Sequence, residues 1–105
     1  MTTLERGDLR IELGGSVVRL YGALDMEGAP LLEDRLHSLI TDSADPVVVD
    51  LTGLEFVDST GLQALMRAAM LARENGDNLR FRRGSAQVEG VMRLTRVAEN
   101  LPFVD

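Results

Sequence analysis

The chain has 105 residues, 45% of them hydrophobic and 27% charged, a balance that suits one compact domain and excludes both a disordered segment and two separate domains. A formal net charge of −6 argues against duplex nucleic acid or an anionic lipid surface as partner, and the absence of cysteine excludes disulfides and thiol chemistry. All eleven basic residues are arginine, so a Walker-type phosphate loop and Schiff-base chemistry, which both need lysine, are excluded as well.

Met1–Arg10 lacks the apolar core and small-residue cleavage site of a secretion leader, and no run approaches the roughly 18 apolar residues of a membrane span. These features lead us to expect a cytoplasmic protein with no membrane insertion. Asp8–Leu13 (DLRIEL) alternates apolar and polar residues as a half-buried strand does. Gly14 and Gly15 then offer a tight turn, and Ser16–Gly22 reads as a second strand, so an antiparallel hairpin is predicted. ALDMEGAP follows as a loop. A helix is predicted from near Gly28, with Pro30 in its first turn, where a missing N–H costs little. Leu32, Leu36, Leu39 and Ile40 form one apolar stripe along it.

Pro46–Leu51 is apolar except for Asp50, the pattern of a strand buried on both faces. The next helix is predicted over about Thr60 to Asn75, with Leu62, Leu65, Met66, Ala69 and Ala72 on one side and Asn75-Gly76 as its stop. Asn78–Gly84 alternates again as a strand, with Arg80 and Arg82 outward. Ser85 is placed to cap a third helix on which Val88, Val91, Met92 and Thr95 align, and one more helical turn fits before Pro102. The order ββαβαβα predicts an α/β fold, a mixed sheet of four to five strands packed with three to four helices in one domain over residues 1–105, its core at about 8–103.

The stretch FVDSTGLQALM (56–66) sets two hydroxyls beside a carboxylate where a helix begins. Ser59 is the expected N-cap, its hydroxyl accepting from an early backbone N–H; Thr60 would serve if the helix began one residue later. Asp58 either assists the cap or sits beside the helix dipole. The same place suits a phosphate, because a helix N-terminus presents unpaired N–H groups and partial positive charge. Gly61, with no side chain, would let a partner backbone approach closely. Asp25, by itself, is an ordinary turn aspartate. His37 is the sole histidine, expected at the edge of its stripe or in solvent, and with no cysteine present a structural zinc site is not expected. A serine hydrolase would need a G-x-S-x-G setting, which is missing around Ser59, and would need His37 to reach that serine.

GALDMEGAPLL, VVVDLTGLEFVDSTGL and GSAQVEGVMRLT together resemble the STAS domain of bacterial anti-sigma factor antagonists, over about Ser16 to Phe103. The resemblance implies a STAS-like fold and phosphorylation at Ser59, with Thr60 as the hydroxyl position that follows it. It implies a partner-binding surface at Asp25, Asp58, Thr60, Gly61 and Leu62. The unphosphorylated protein would bind an anti-sigma factor that is also a serine kinase, freeing sigma; the kinase would inactivate it and a metal-dependent serine phosphatase would restore it. No catalytic residue, cofactor or metal of its own is implied, and no direct contact with nucleic acid. Arg96 stands where the family often has glycine after the threonine, and any strand after Phe103 is expected to be very short. The alternative is a constitutive STAS scaffold, a subunit of a signalling assembly or lipid transporter that uses the same helix end without a phosphate cycle. The intact D-S-T-G favours the switch.

Overall fold

Three strands at the start of the chain fold back on one another. In the computed structural model, which describes residues 1–104, they are β1 (Thr2–Arg6), β2 (Leu9–Gly14) and β3 (Val17–Leu24), paired antiparallel. The hairpin of β2 and β3 is the predicted one. β1 lies outside the predicted elements, and its composition explains why: only Leu4 is half-buried and its neighbours are exposed, so the edge strand is held by its backbone ladder and leaves no alternation to read.

The rest of the chain alternates helix and strand: α1 (Ala29–Asp42), β4 (Val47–Val57), α2 (Ser59–Glu74), β5 (Leu79–Arg82), α3 (Ala86–Leu94), a 3-10 turn (Val97–Asn100) and β6 (Phe103–Val104). β3 to β6 are parallel, and the six strands lie side by side in chain order. That order decides the layering. Each crossover steps one strand in the same direction, and right-handed crossovers that never reverse put every helix on one face.

β4 is therefore not buried on both faces, as its composition alone would have it. Val47, Val49 and Leu51 point into the core, Val48 and Asp50 are half-buried, and Thr52 is exposed. The core beneath the helices is continuous: Leu32, Leu36 and Ile40 of α1, Leu62, Leu65, Ala69 and Ala72 of α2, and Val88 and Met92 of α3 close on Leu20, Leu51, Leu54 and Phe81. Leu39, Met66 and Val91, which the apolar spacing sets on the stripes, are only partly buried. Thr95 is exposed, with its hydroxyl donating back to the Val91 carbonyl at 2.8 Å.

The bare face of the sheet carries charges of alternating sign. The register sets Glu12, Arg19, Asp50 and Arg82 side by side across β2 to β5. Burial alone would raise the Asp50 pKa, but hydrogen bonds from the Thr52 hydroxyl and N–H, with Arg82 and Arg19 nearby, hold it below the usual carboxylate value. Asp50 thus stays ionised at neutral pH, and this face stays hydrated. Arg10 adds to the cover by stacking its guanidinium 4.5 Å from the centre of the Tyr21 ring.

Two backbone positions at positive φ bear on how the elements end. Gly22 (φ +84) has no room for a side chain against the Asp8 carbonyl, and the register shifts there before β3 continues to Leu24, beyond its predicted end. Arg96 (φ 64) takes the left-handed conformation just after α3, which glycine adopts without strain. Its exposed side chain is held by Glu99 at 2.8 and 3.3 Å.

Candidate functional site

β3 and β4 pair in parallel as far as Leu24 and Val57, and the Asp58 N–H then donates to the Leu24 carbonyl at 3.2 Å. Past that rung both strands leave the sheet at the same end, β3 toward α1 and β4 toward α2. In open α/β sheets, sites gather at these carboxyl ends, where helix N-termini point outward.

Asp58, not Ser59, caps α2. Its backbone is extended, its Oδ1 accepts from the Gly61 N–H at 2.8 Å, and its carbonyl accepts from the Leu62 N–H at 2.9 Å. Aspartate ranks with serine as an N-cap and adds a full negative charge to the dipole, so it takes the role when the helix starts at the next residue. Ser59 is then the first helical residue, exposed, and its hydroxyl bonds to none of the described residues. Thr60 follows half-buried, its hydroxyl likewise unbonded among the described residues.

Asp25 does the same work at the neighbouring helix. Its Oδ1 accepts from the Glu27 N–H at 3.0 Å and the Gly28 N–H at 3.4 Å, and its carbonyl accepts from the Ala29 N–H at 2.9 Å. Gly28, in the formal cap position, has no side chain to offer, so the aspartate three residues earlier closes the end of α1. A lone turn residue by sequence, Asp25 is the partner of Asp58 in geometry.

Gly61 and Leu62 turn inward. Both are buried, and a side chain on Gly61 would strike the Leu24 carbonyl, with Leu24 Cγ at 2.8 Å and Val57 Cγ2 at 2.9 Å. The close approach that the glycine permits is between α2 and β3 of this chain. Gly61 and Leu62 support the corner from beneath, while Asp25, Asp58, Ser59 and Thr60 are the more open positions of its rim. Sequence reasoning passes over two neighbours of that rim, Met26 in the turn before α1 and Phe56 near the end of β4, both exposed. An apolar residue inside a turn, and one that breaks the alternation of a strand, are the available signals.

His37 is exposed and lines a cleft of about 270 Å³ between α1 and α2, together with Leu36, Ala64, Ala68 and Leu71. Arg67 and Glu33 bridge that cleft at 2.8 Å. At 1.5 Å rise per residue, Ala64 and Ala68 sit about 8 and 14 Å down α2 from Ser59, so the histidine does not pair with that hydroxyl. Among the described residues no group of three or more His, Asp or Glu is placed to hold a metal ion, and no helix is long and apolar enough to cross a membrane.

The reassigned cap has a measurable consequence. Asp58→Ala should cost about 1 kcal/mol, whereas Ser59→Ala should change stability by less than about 0.5 kcal/mol. Thermal denaturation of the two variants decides it, since the opposite order would return the cap to Ser59.

Known proteins match this architecture. A family model described as Mlab, STAS domain matches residues 8–104. The anti-sigma-F factor antagonist RsfB of Mycobacterium tuberculosis is 29% identical over 68 residues, which is 65% of this chain and 53% of RsfB. The match thus spans about half the length of that curated relative. The crystal structure of an anti-sigma factor antagonist from Mycobacterium paratuberculosis superposes with a TM-score of 0.70 at 27% identity, covering 97% of this chain and 83% of that one. Unphosphorylated SpoIIAA (TM-score 0.65, 15% identity, 92% of this chain and 87% of that one) shares the fold. So does apo-SiaC from Pseudomonas aeruginosa (TM-score 0.65, 17% identity, 99% and 98%).

Proposed function

The chain belongs to the STAS domain family, and from that premise we propose that it is an anti-sigma factor antagonist whose binding is switched by phosphorylation of Ser59. One observation carries the reading. With Asp58 closing the helix, the Ser59 hydroxyl has no bond within the described fold, yet it is exposed beside the N–H groups of the first turn of α2. A serine free of structural duty at a helix N-terminus accepts a phosphate without loss of the fold, because the new charge of about −1.5 to −2 meets the positive end of the dipole.

The domain is a regulatory module and performs no chemistry on its partner. ATP, Mg²⁺ and the catalytic base belong to the kinase. In the proposed cycle the unphosphorylated form binds an anti-sigma factor that is also a serine kinase and releases sigma. Phosphorylation ends the complex, and a metal-dependent serine phosphatase resets it. A dianion placed at the centre of the contact would be desolvated without a full set of partners, which costs several kcal/mol and lowers affinity on the order of 100-fold.

The test combines the purified chain with the anti-sigma-factor kinase of its own genome and ATP, and locates phosphate by mass spectrometry. We expect one phosphate, on Ser59, and none on Ser59→Ala, which should still bind. Phosphate on Thr60 would move the site by one residue. Tight binding with no phosphate on either hydroxyl would instead support the constitutive scaffold.

A further inference from the structure

Two exposed apolar side chains lie on the chain segments that lead to the Ser59 corner. Met26 is 68% exposed and Phe56 49%. The register places Phe56 beside Ala23 and Val57 beside Leu24, and the Asp58–Leu24 hydrogen bond follows. Adjacent strands lie about 5 Å apart, so the Asp25-Met26 step and the Phe56–Ser59 stretch run next to each other at one end of the sheet. The polar groups of the same rim are partly committed: one oxygen of Asp25 and one of Asp58 already accept from helix N–H groups. They offer a partner charge, but little freedom to build new geometry.

The corner is also acidic along its own segments, with one arginine close by, Arg10 of β2, which lines a shallow cleft together with Glu55. Residues 20–34 and 51–66 contribute Asp25, Glu27, Glu55 and Asp58 to it and contain no arginine, lysine or histidine. We infer that Met26 and Phe56 are the anchors by which the anti-sigma factor holds this surface, and that the partner presents an apolar socket fringed by arginine or lysine. This rests on the proposed function. It also explains the direction of the switch. The basic fringe would attract a phosphate only weakly, since exposed charges are screened, whereas the apolar socket leaves a desolvated dianion unpaired. The second effect is the larger, so phosphorylation weakens the contact.

The experiment uses the kinase of the phosphate-mapping test. Dissociation constants are measured by calorimetry for wild type, Met26→Ser, Phe56→Ser and Met70→Ser. Met70 is the control, an exposed methionine (58%) about 16 Å along α2 from Ser59. Each anchor variant should bind about 30-fold more weakly, with KM for Ser59 phosphorylation raised and kcat kept, and with an unchanged melting temperature; Met70→Ser should match wild type. The association rate of wild type should fall as salt is raised. Wild-type affinity in Met26→Ser, or an equal loss in Met70→Ser, would overturn the anchors, and a salt-independent association rate would overturn the basic fringe. Either result leaves the switch standing if wild type still binds and takes phosphate. A wild type that does neither removes the proposed function, and the anchors with it.

Discussion

Ser59→Glu is expected to weaken binding to the anti-sigma factor about 100-fold, or about 2.7 kcal/mol, while the domain melts at or slightly above the wild-type temperature. The two halves of that expectation come from different parts of the structure. On the proposed surface binding falls because the carboxylate would sit at the centre of the contact, among Asp25, Asp58 and the two inferred anchors. Stability holds because residue 59 is exposed, its hydroxyl bonds to none of the described residues, and an acid in the first turn of a helix is favoured by about 0.3–1 kcal/mol. Calorimetric titration and a melting curve on one preparation read both. A variant that melts far below wild type would show that the helix end does not accept charge, and would remove the physical basis of the switch.

Gly61→Ala should be the most damaging single-methyl change in the corner, lowering stability by about 2 kcal/mol and Tm by about 10 °C. Alanine is the better helix former by about 1 kcal/mol, so propensity alone predicts a gain. Packing outweighs it. The added Cβ meets the Leu24 carbonyl, which is fixed by its hydrogen bond from Asp58, and it also crowds Leu24 Cγ and Val57 Cγ2. Overpacking of this kind costs about 1–3 kcal/mol, and a backbone atom as obstacle places it at the upper end. Gly90, in α3, is the internal control, because a Cβ added there would meet nothing within 4 Å. The same substitution at Gly90 should raise stability by up to about 1 kcal/mol. Chemical denaturation of both variants compares the signs directly.

Local chemistry decided much of this molecule. Apolar spacing places α1, α2 and α3 within a residue or two, the alternation of β2 and β5 is legible, and Ser85 caps α3 as expected, accepting from the Val88 N–H at 3.3 Å. D-S-T-G identifies the corner where strand becomes helix, and the resemblance built on it leads to the family. Each of these signals is carried by residues close together in the chain, where periodicity, turn chemistry and capping act without knowledge of distant partners.

Other features depend on segments far apart in sequence, and no local pattern encodes them. Which face of β4 is bare follows from all crossovers sharing one hand and one direction, a property of the whole sheet. The inward role of Gly61 exists only because β3 ends beneath α2, bringing the Leu24 carbonyl against it. That the segments carrying Met26, Phe56 and Ser59 come together at one end of the sheet likewise requires β3 and β4 to pair in parallel. Asp58 and Ser59 are both competent caps by composition, and the choice falls to the residue whose extended backbone lets its carboxylate reach the Gly61 N–H. The sequence thus determined where a helix could begin beside an available hydroxyl; tertiary packing decided which group closes the helix and which is left facing solvent, because that depends on where the strand before it is held.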